Sequence, residues 1–203
     1  MTKQSLRDMK KEETWHVLAR TCYELAVAKG LDGFTIEDAV QRARYSRRTF
    51  ANHFSCKEEA VAMAVLSLSS GRSDVLREVE VPDGMAPLEA LEQWSRMQFT
   101  AELLRNLRQL LRMARDYPTL EPYVLIVLQR LQKAAQEELD RNYAGHYPPG
   151  YTHILAGAVF GAVLSILEGE NVRIPGEEQA GEPGEATFEE FLQTTFNYLK
   201  NGF

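Results

Sequence analysis

The sequence predicts an all-α protein in which a small N-terminal helical domain is followed by a larger helical domain. Apolar residues recur at spacings of three and four along most of the chain, which is the helical period. The first proline is Pro82, so no proline interrupts the pattern before that point. No segment alternates apolar and polar residues as a strand does. We expect about nine helices, three of them in a domain over residues 1–56, with the others in a domain over 57–203.

The first predicted helix covers residues 13–29, where an apolar stripe runs along one face. Gly30 follows it and suits a C-terminal cap with positive φ. Thr35 is placed to cap a short second helix over residues 36–43. Asp38 stands three residues later, where a capping box usually has Glu or Gln.

Two further capping residues follow closely. Ser46 can cap a third helix that extends to residue 54. Ser55 and Glu58 have the spacing of a capping box for a helix over residues 56–66. The second and third helices, joined by a tight turn, have the dimensions of a helix-turn-helix.

The rest of the chain predicts five more helices. The last of them follows a capping box formed by Thr187 and Glu190, and a mobile acidic loop is expected over residues 169–186. The other four helices are expected over residues 87–99, 101–116, 120–142 and 151–168. The helix over 151–168 is apolar almost all round, so we expect it to be buried on most sides.

Charge is distributed unevenly along the chain. The net charge is −6, which alone argues against a nucleic-acid partner. Residues 1–66, however, contain eleven Lys or Arg and nine Asp or Glu, so they carry +2 and the remainder carries −8. Residues 41–57 contain five basic residues and no acidic one. Local charge decides whether a surface meets phosphate, so this segment can bind a polyanion.

The helix after Ser46 has two unlike faces. Phe50 and Phe54 lie on one side of a helical wheel, whereas Arg48, Thr49 and Asn52 point the opposite way. The aromatic side must be buried, which presents the polar side outward. In the major groove Arg pairs with guanine and Asn with adenine. The pattern therefore predicts a recognition helix.

Two stretches resemble the DNA-binding signature of the TetR family of transcriptional regulators: residues 33–40 (GFTIEDAV) and 46–58 (SRRTFANHFSCKE). The resemblance covers about residues 13–66. It implies an all-α homodimer that binds a palindromic operator in double-stranded DNA and acts as a repressor. The resemblance also implies roles for individual residues. Thr35 caps the second helix, and His53 and Lys57 contact phosphates. The residues expected at bases or the adjacent backbone are Arg47, Arg48, Thr49 and Asn52. For His53, a partly buried helix cap is the alternative.

The turn departs from the family pattern, which usually has glycine and a small aliphatic residue where this chain has Arg44 and Tyr45. Arginine with positive φ carries strain of about 1 kcal/mol. Either the turn differs slightly, or Arg44 contributes a phosphate contact.

The second domain is expected to bind a small apolar effector. The segment 103–143 resembles the regulatory domain of family members that bind acyl-CoA-like or other elongated apolar ligands, and the resemblance implies that such a ligand releases DNA. Aromatic and Met side chains suit an adaptable pocket, with His153 as either a polar anchor or a core or interface histidine. The expected pocket residues are Trp94, Met97, Met113, Tyr117, Tyr123, Val127, His153 and Phe160.

The last two helices predict a homodimer interface. Small residues on the first of them permit close helix approach, and phenylalanines on the second provide apolar bulk. DNA geometry also favours a dimer, because paired recognition helices read a palindrome. The expected interface residues are Ala158, Gly161, Phe188, Phe191 and Phe196.

The sequence offers weaker support for other classes of function. Four histidines and two cysteines show no metal-ligand spacing, and no glycine-rich phosphate loop or nucleophile elbow occurs, so we expect neither an enzyme nor a cofactor or metal. Cys56 follows Ser55 at a helix start beside Lys57, a setting in which a thiol becomes more reactive. A redox-responsive regulator acting through Cys56, and a DNA-binding protein without an inducer, remain alternatives. The chain has only two cysteines, so we expect a cytoplasmic protein. Its apolar stretch 154–167 has fourteen residues, so we expect no membrane span.

Overall fold

The computed structural model describes residues 6–68, 81–82, 84–143, 145–148, 150–169, 172–174 and 186–202. Within these ranges the chain is almost entirely helical, which confirms the all-α prediction. Short 3-10 turns, Leu31–Gly33 and Pro118–Leu120, precede two of the helices. The helices in the described ranges are α1 Leu6–Lys29, α2 Ile36–Ala43, α3 Arg47–Ala51, α4 Lys57–Leu68, α5 Pro87–Gln98, α6 Ala101–Asp116, α7 Glu121–Tyr143, α8 Tyr151–Glu168 and α9 Phe188–Asn201.

The bounds of α2, α6 and α8 agree with those predicted from the sequence. Helix α1 begins at Leu6, well before the predicted start, because its first turns are polar and lack the apolar stripe on which the prediction depended. Helix α3 ends at Ala51 and Asn52 forms its C-cap, so residues up to 54 continue as a turn instead of a helix.

The predicted capping box of Ser55 and Glu58 is wrong by one residue. Helix α4 begins at Lys57, so the third helical position is Glu59. Its carboxylate accepts hydrogen bonds from both the backbone N–H and the hydroxyl of Ser55, each at 2.7 Å. The Glu59 backbone N–H in turn faces Cys56 Sγ at 3.4 Å. Cys56 therefore occupies the N-cap position.

The chain divides into two compact units. The first contains the described residues up to 68 together with Gln109–Val127, and the second contains the described residues from 81 to Arg108 together with those from Leu128 to 202. Helix α4 therefore packs in the same unit as α1–α3. A boundary between functional domains at residues 56 and 57 stays a prediction.

The core of the first unit forms where α1 packs against α4 and α2. Leu18, Cys22 and Val61 are fully buried there. Burial raises the pKa of the Cys22 thiol to about 12, which leaves it protonated at neutral pH. Cys22 is therefore a core residue without thiolate reactivity.

The core of the second unit is built from α5, α8 and α9. The Phe99 ring packs edge-on against Trp94, Phe160 and Phe188, with centroid distances of 6.5, 5.6 and 6.1 Å. A buried guanidinium, that of Arg108, donates hydrogen bonds to the carbonyl oxygens of Ile166 and Val172 at 3.0 and 2.9 Å. These bonds tie the end of α8 to the segment that follows it.

That segment contains a short parallel pair that the sequence did not predict. Strands β1 Val172–Arg173 and β2 Ala186–Thr187 pair directly, and two residues are too few to show alternation. Val172 and Ile174 are buried, so the prediction of a mobile acidic loop is wrong for residues 172–174. Residues 170–171 and 175–185 of that loop lie outside the described residues.

Helix α8 has the length and hydropathy of a membrane span, unlike the shorter apolar stretch seen in the sequence. Its 18 residues have a mean hydropathy of 1.5, and 33% of them are buried within the chain. One side of α8 packs against α5 and α9.

Gly30 provides a test of the first unit. Its φ is +76° and ψ is 163°, a conformation that essentially only glycine adopts, and a Cβ built there would lie 2.6 Å from Tyr117 Oη. We expect Gly30→Ala to lower the free energy of unfolding by about 1–3 kcal/mol or more, measured by urea denaturation. Gly84→Ala is the control, because Gly84 has φ +83° with nothing within 4 Å of its Cβ position. An equal loss of unfolding free energy in both variants would show that the clash with Tyr117 does not contribute to the destabilisation.

Candidate nucleic-acid interface

The start of α2 is fixed by a capping box, as the sequence predicts. Thr35 Oγ1 accepts from the Asp38 backbone N–H at 3.2 Å, and the Asp38 carboxylate accepts from the Thr35 backbone N–H at 2.8 Å. These hydrogen bonds from the backbone and the hydroxyl of Thr35 lower the pKa of Asp38. The Thr35 side chain is thus a structural cap that sets the direction of α2.

The turn between α2 and α3 keeps the positive φ at Arg44, where the family pattern usually has glycine. Arg44 lies in the left-handed region with φ 60° and ψ 38°, and it is the one non-glycine with positive φ among the described residues. Its side chain is exposed. Tyr45 is half-buried, its backbone N–H donates to the Val40 carbonyl at 2.9 Å, and its hydroxyl lies 3.5 Å from Thr14 Oγ1. Tyr45 therefore links the turn to α1.

Helix α3 buries its aromatic side and exposes its polar side. Phe50 and Phe54 are 1% and 3% exposed, and their ring centroids lie 5.6 Å apart. Trp15 of α1 packs against Phe54 at the same distance. Arg48 and Asn52 are exposed on the other side.

The N-terminus of α3 is capped by Ser46, whose Oγ accepts from the Thr49 backbone N–H at 3.0 Å. The Thr49 hydroxyl lies 2.8 Å from that same Oγ and the residue is half-buried. Thr49 therefore stabilises the start of α3 in addition to bordering the exposed face.

The arginines of this region differ in their pairing. Arg47 pairs with Glu37, and Arg42 pairs with Glu24 at 2.9 Å. In the part of the chain that the structure describes, Arg44 and Arg48 are exposed and have no ion-pair partner. The positive charge of these two side chains is therefore not paired with a carboxylate of the described residues.

Lys57 lies below this surface and is half-buried. Its ammonium donates to the carbonyl oxygens of Leu31 and Phe34 at 2.7 and 3.1 Å, and it lies 5.2 Å from the Phe34 ring centroid. These contacts close the loop between α1 and α2. Sequence reasoning missed this structural role, because nothing in the spacing of the residues reveals the two carbonyls.

His53 is half-buried beside Phe54, at a ring distance of 6.4 Å. Burial, and to a smaller extent the charge of Lys11, lowers the pKa of His53 from its ordinary value. Both effects favour the neutral imidazole in the free protein. A neutral imidazole can donate a hydrogen bond to phosphate but adds no positive charge.

The predicted ligand-pocket residues are divided between the two units. Four of them belong to the first unit. Met113 and Val127 are core residues there, and Tyr117 packs against Gly30. Cys56 Sγ donates to the Tyr123 hydroxyl at 3.1 Å.

The other four predicted pocket residues belong to the second unit, where they differ in exposure and in the residues they contact. Met97 is 46% exposed, and Phe160 packs against Phe99 in the core. His153 is exposed, with Nδ1 3.0 Å from Gln136 Oε1. Trp94 lines a groove.

That groove lies between α5 and α7 in the second unit. It is open to solvent and has a cavity volume of only about 10 Å³. Sequence reasoning missed most of its lining, because the groove depends on how two helices are placed and not on a local pattern. Its lining residues are Val81, Ala90, Leu91, Trp94, Ala135, Glu138, Leu139, Asn142 and Tyr143.

The predicted dimer interface is only partly at the surface. Phe188 and Phe196 are 6% and 2% exposed, so they belong to the core and cannot line an interface. Phe191 is half-buried, whereas Ala158 and Gly161 are exposed.

Helix α8 is also less buried than predicted. Ile154, Ala158, Gly161 and Ser165 form one continuous exposed face at spacings of four, three and four. Ile154 is 72% exposed there. Burial of α8 on most sides was therefore a wrong expectation for the single chain.

The described residues contain no group of three or more His, Cys, Asp or Glu that could hold a metal ion.

No protein-family model matches the sequence, and no curated protein matches it. A solved structure does match: a protein from Mesorhizobium loti MAFF303099 assigned to the TetR family of transcriptional regulators. The match has a TM-score of 0.53 and 16% sequence identity, and it covers 92% of this chain and 95% of that one. The two chains share a fold.

The two hydrogen bonds from Lys57 to backbone carbonyls predict that its substitution lowers the stability of the fold. We expect Lys57→Met to lower the free energy of unfolding by about 1.5–3 kcal/mol, because two hydrogen bonds from a charged donor are lost. Lys29→Met is the control, since Lys29 is exposed on the same unit. Thermal and urea denaturation of both variants measure the effect. Equal stability of the two would mean that the carbonyl contacts of Lys57 contribute nothing to folding.

Proposed function

We propose that the protein is a cytoplasmic DNA-binding transcriptional regulator, a repressor that binds a palindromic operator as a homodimer and responds to a small molecule. One observation carries the proposal: Phe50 of α3 and Phe54 in the turn after it are buried, whereas Arg48 of α3 and its C-cap Asn52 are exposed. The helix is capped by Ser46 and follows a tight turn. The shared fold with a TetR-family structure supports it.

Two kinds of contact are expected at this surface. Arg48 and Asn52 are the base-reading residues, because Arg donates two hydrogen bonds to guanine and Asn pairs with adenine in the major groove. Arg44, exposed and without an ion-pair partner among the described residues, contacts phosphate. Arg47 joins them when phosphate replaces Glu37, since exposed ion pairs are weak.

A dimer is needed to read a palindrome, and α8 offers the surface for it. The face of Ile154, Ala158 and Gly161 is apolar, and its small residues let a second helix approach closely. A Cβ added at Gly161 would meet nothing within 4 Å of it in the single chain. The second copy of this chain is the proposed occupant of that face.

The groove between α5 and α7 is the proposed effector site. Helix α7 contributes residues to both units. Its C-terminal part lines the groove, and Tyr123 in its first turn contacts Cys56 at the start of α4. A ligand that displaces α7 can therefore alter the DNA-binding unit through a continuous helix. Discrimination of about 1–3 kcal/mol between two states would change DNA affinity roughly five- to 150-fold.

DNA binding is tested by selecting sites from a random duplex pool and titrating the selected site. We expect a palindromic site and an affinity that falls linearly in log–log form with salt. Arg48→Ala should cost about 1–3 kcal/mol at one base pair of each half-site. Arg20→Ala is the matched control, because it removes the same charge from an exposed position on α1. Equal losses for Arg48→Ala on the selected site and on unrelated DNA would contradict base reading.

Assembly is tested by Ile154→Asp, which places a charge on the exposed face of α8. We expect the dissociation constant of the dimer to rise at least about tenfold, because an unpaired carboxylate would be desolvated in an apolar interface. Leu125→Asp is the control, since Leu125 is 59% exposed elsewhere on the chain. Sedimentation equilibrium measures both. An intact dimer for Ile154→Asp would place the interface on another surface.

A further inference from the structure

The first turns of α1 carry their positive charges on one face. Lys10 and Lys11 stand three and four residues after Arg7, so these three side chains lie together on the helix surface. All three are exposed. We call them the cationic face of α1. The acidic residues of the same turns are centred on the opposite side of the helix, and they are Asp8, Glu12 and Glu13.

The cationic face continues into the surface by which α1 meets the turn before α3. Thr14 and Leu18 extend the same face, three and seven residues after Lys11. Leu18 is fully buried, and Thr14 Oγ1 lies 3.5 Å from the hydroxyl of Tyr45 in the turn between α2 and α3. The cationic face therefore projects beyond the core from a point where α1 already contacts the helix-turn-helix.

Lys11 also acts on the turn that follows α3. Burial lowers the pKa of His53, and the positive charge of Lys11 lowers it further. Trp15, four residues after Lys11, packs against Phe54 at a centroid distance of 5.6 Å. A phosphate that approaches His53 would therefore also meet the charge of Lys11.

The charges of the cationic face are available to a partner. In the described part of the chain its three residues form no ion pair, whereas Arg20 farther along α1 pairs with Glu24 at 3.9 Å. Arg7 and Lys11 are like charges four residues apart, an arrangement that destabilises a helix. Arg7 also lies in the first turn of α1, where the helix dipole favours an anion. A bound polyanion would relieve both of these unfavourable interactions.

We propose that the cationic face of α1 binds the phosphate backbone of the operator, next to the base pairs that α3 reads. From Thr14 back to Arg7, α1 extends by about 10 Å, which equals about three base-pair steps along the duplex. The cationic face thus widens the contact of each protomer and adds no base recognition, because phosphates carry no sequence information. The proposal rests on the proposed function, since it adds a second contact surface for the same DNA.

The test measures the salt dependence of binding by full-length Lys11→Gln, on the selected site and on an unrelated duplex. Loss of a phosphate contact should reduce the slope of log affinity against log salt by about one unit for each half-site. Affinity near 0.1 M salt should fall at least about fivefold, by the same factor on both duplexes. The triple variant Arg7→Gln, Lys10→Gln, Lys11→Gln should reduce the slope further.

Lys29→Gln is the matched control for Lys11→Gln. It makes the same change of charge at an exposed position on the opposite end of α1. We expect it to keep the slope of the unmodified protein. Thermal denaturation checks that each variant is folded, and no loss of stability is expected because the substituted side chains are exposed.

A thermodynamic cycle locates the contact on the DNA. Single phosphates of one half-site are replaced in turn by neutral methylphosphonates. At the phosphate that Lys11 contacts, the replacement should weaken binding by the unmodified protein and by Lys29→Gln, and it should have little further effect on Lys11→Gln.

The proposal is overturned if Lys11→Gln and the triple variant keep the slope of the unmodified protein, or if Lys29→Gln reduces the slope as much as Lys11→Gln does. A loss of affinity confined to the selected site would also overturn it, because a backbone contact must act on both duplexes. Each of these results leaves the base-pair preference tested by Arg48→Ala untouched. Failure of the unmodified protein to select any DNA site would instead remove the proposed function.

Discussion

The burial of Phe50 and Phe54, with Phe54 packed against Trp15 of α1, is the interaction on which the candidate site depends. Helix α3 has five residues, too few to be stable by its own hydrogen bonds, so packing must hold it in place. Each buried aromatic ring contributes about 1.5–3 kcal/mol relative to exposure. Because Phe50 in the helix and Phe54 in the turn after it are both buried, their burial determines which residues of this segment face solvent. Arg48 and Asn52 are exposed for this reason, and no separate interaction is needed to present them.

Local chemistry explains why much of this fold could be predicted from the sequence. A capping residue and its partner stand three positions apart, so Thr35 with Asp38 and Thr187 with Glu190 reveal the starts of α2 and α9 without any knowledge of the tertiary structure. The same rule failed at α4, where adjacent glutamates offer two registers. The helix begins at Lys57, so Glu59 makes the contact that Glu58 was expected to make.

Contacts between distant segments could not be predicted in this way. Lys57 reaches the carbonyls of Leu31 and Phe34 because α4 packs beside the loop after α1, and no spacing along the chain encodes that approach. The phenylalanines of α9 show the same limit. Phe188, Phe191 and Phe196 share an apolar stripe, but only the packing of α5 and α8 decides that the first and last belong to the core. A helical wheel identifies an apolar face and cannot tell which partner covers it.

Arg44 shows that the turn is not shaped by stability alone. Its left-handed conformation costs about 1 kcal/mol that glycine would not incur, and among the described residues its exposed side chain has no ion-pair partner to offset that cost. The neighbouring arginines differ, since Glu24 and Glu37 hold Arg42 and Arg47 in place on the same surface. Exposed pairs of this kind exchange readily with phosphate. Arg44 therefore adds to the positive charge available to a polyanion. Arg42 and Arg47 are already oriented by their carboxylate partners. The backbone conformation at Arg44 and the two glutamates thus give the arginines different roles on this surface.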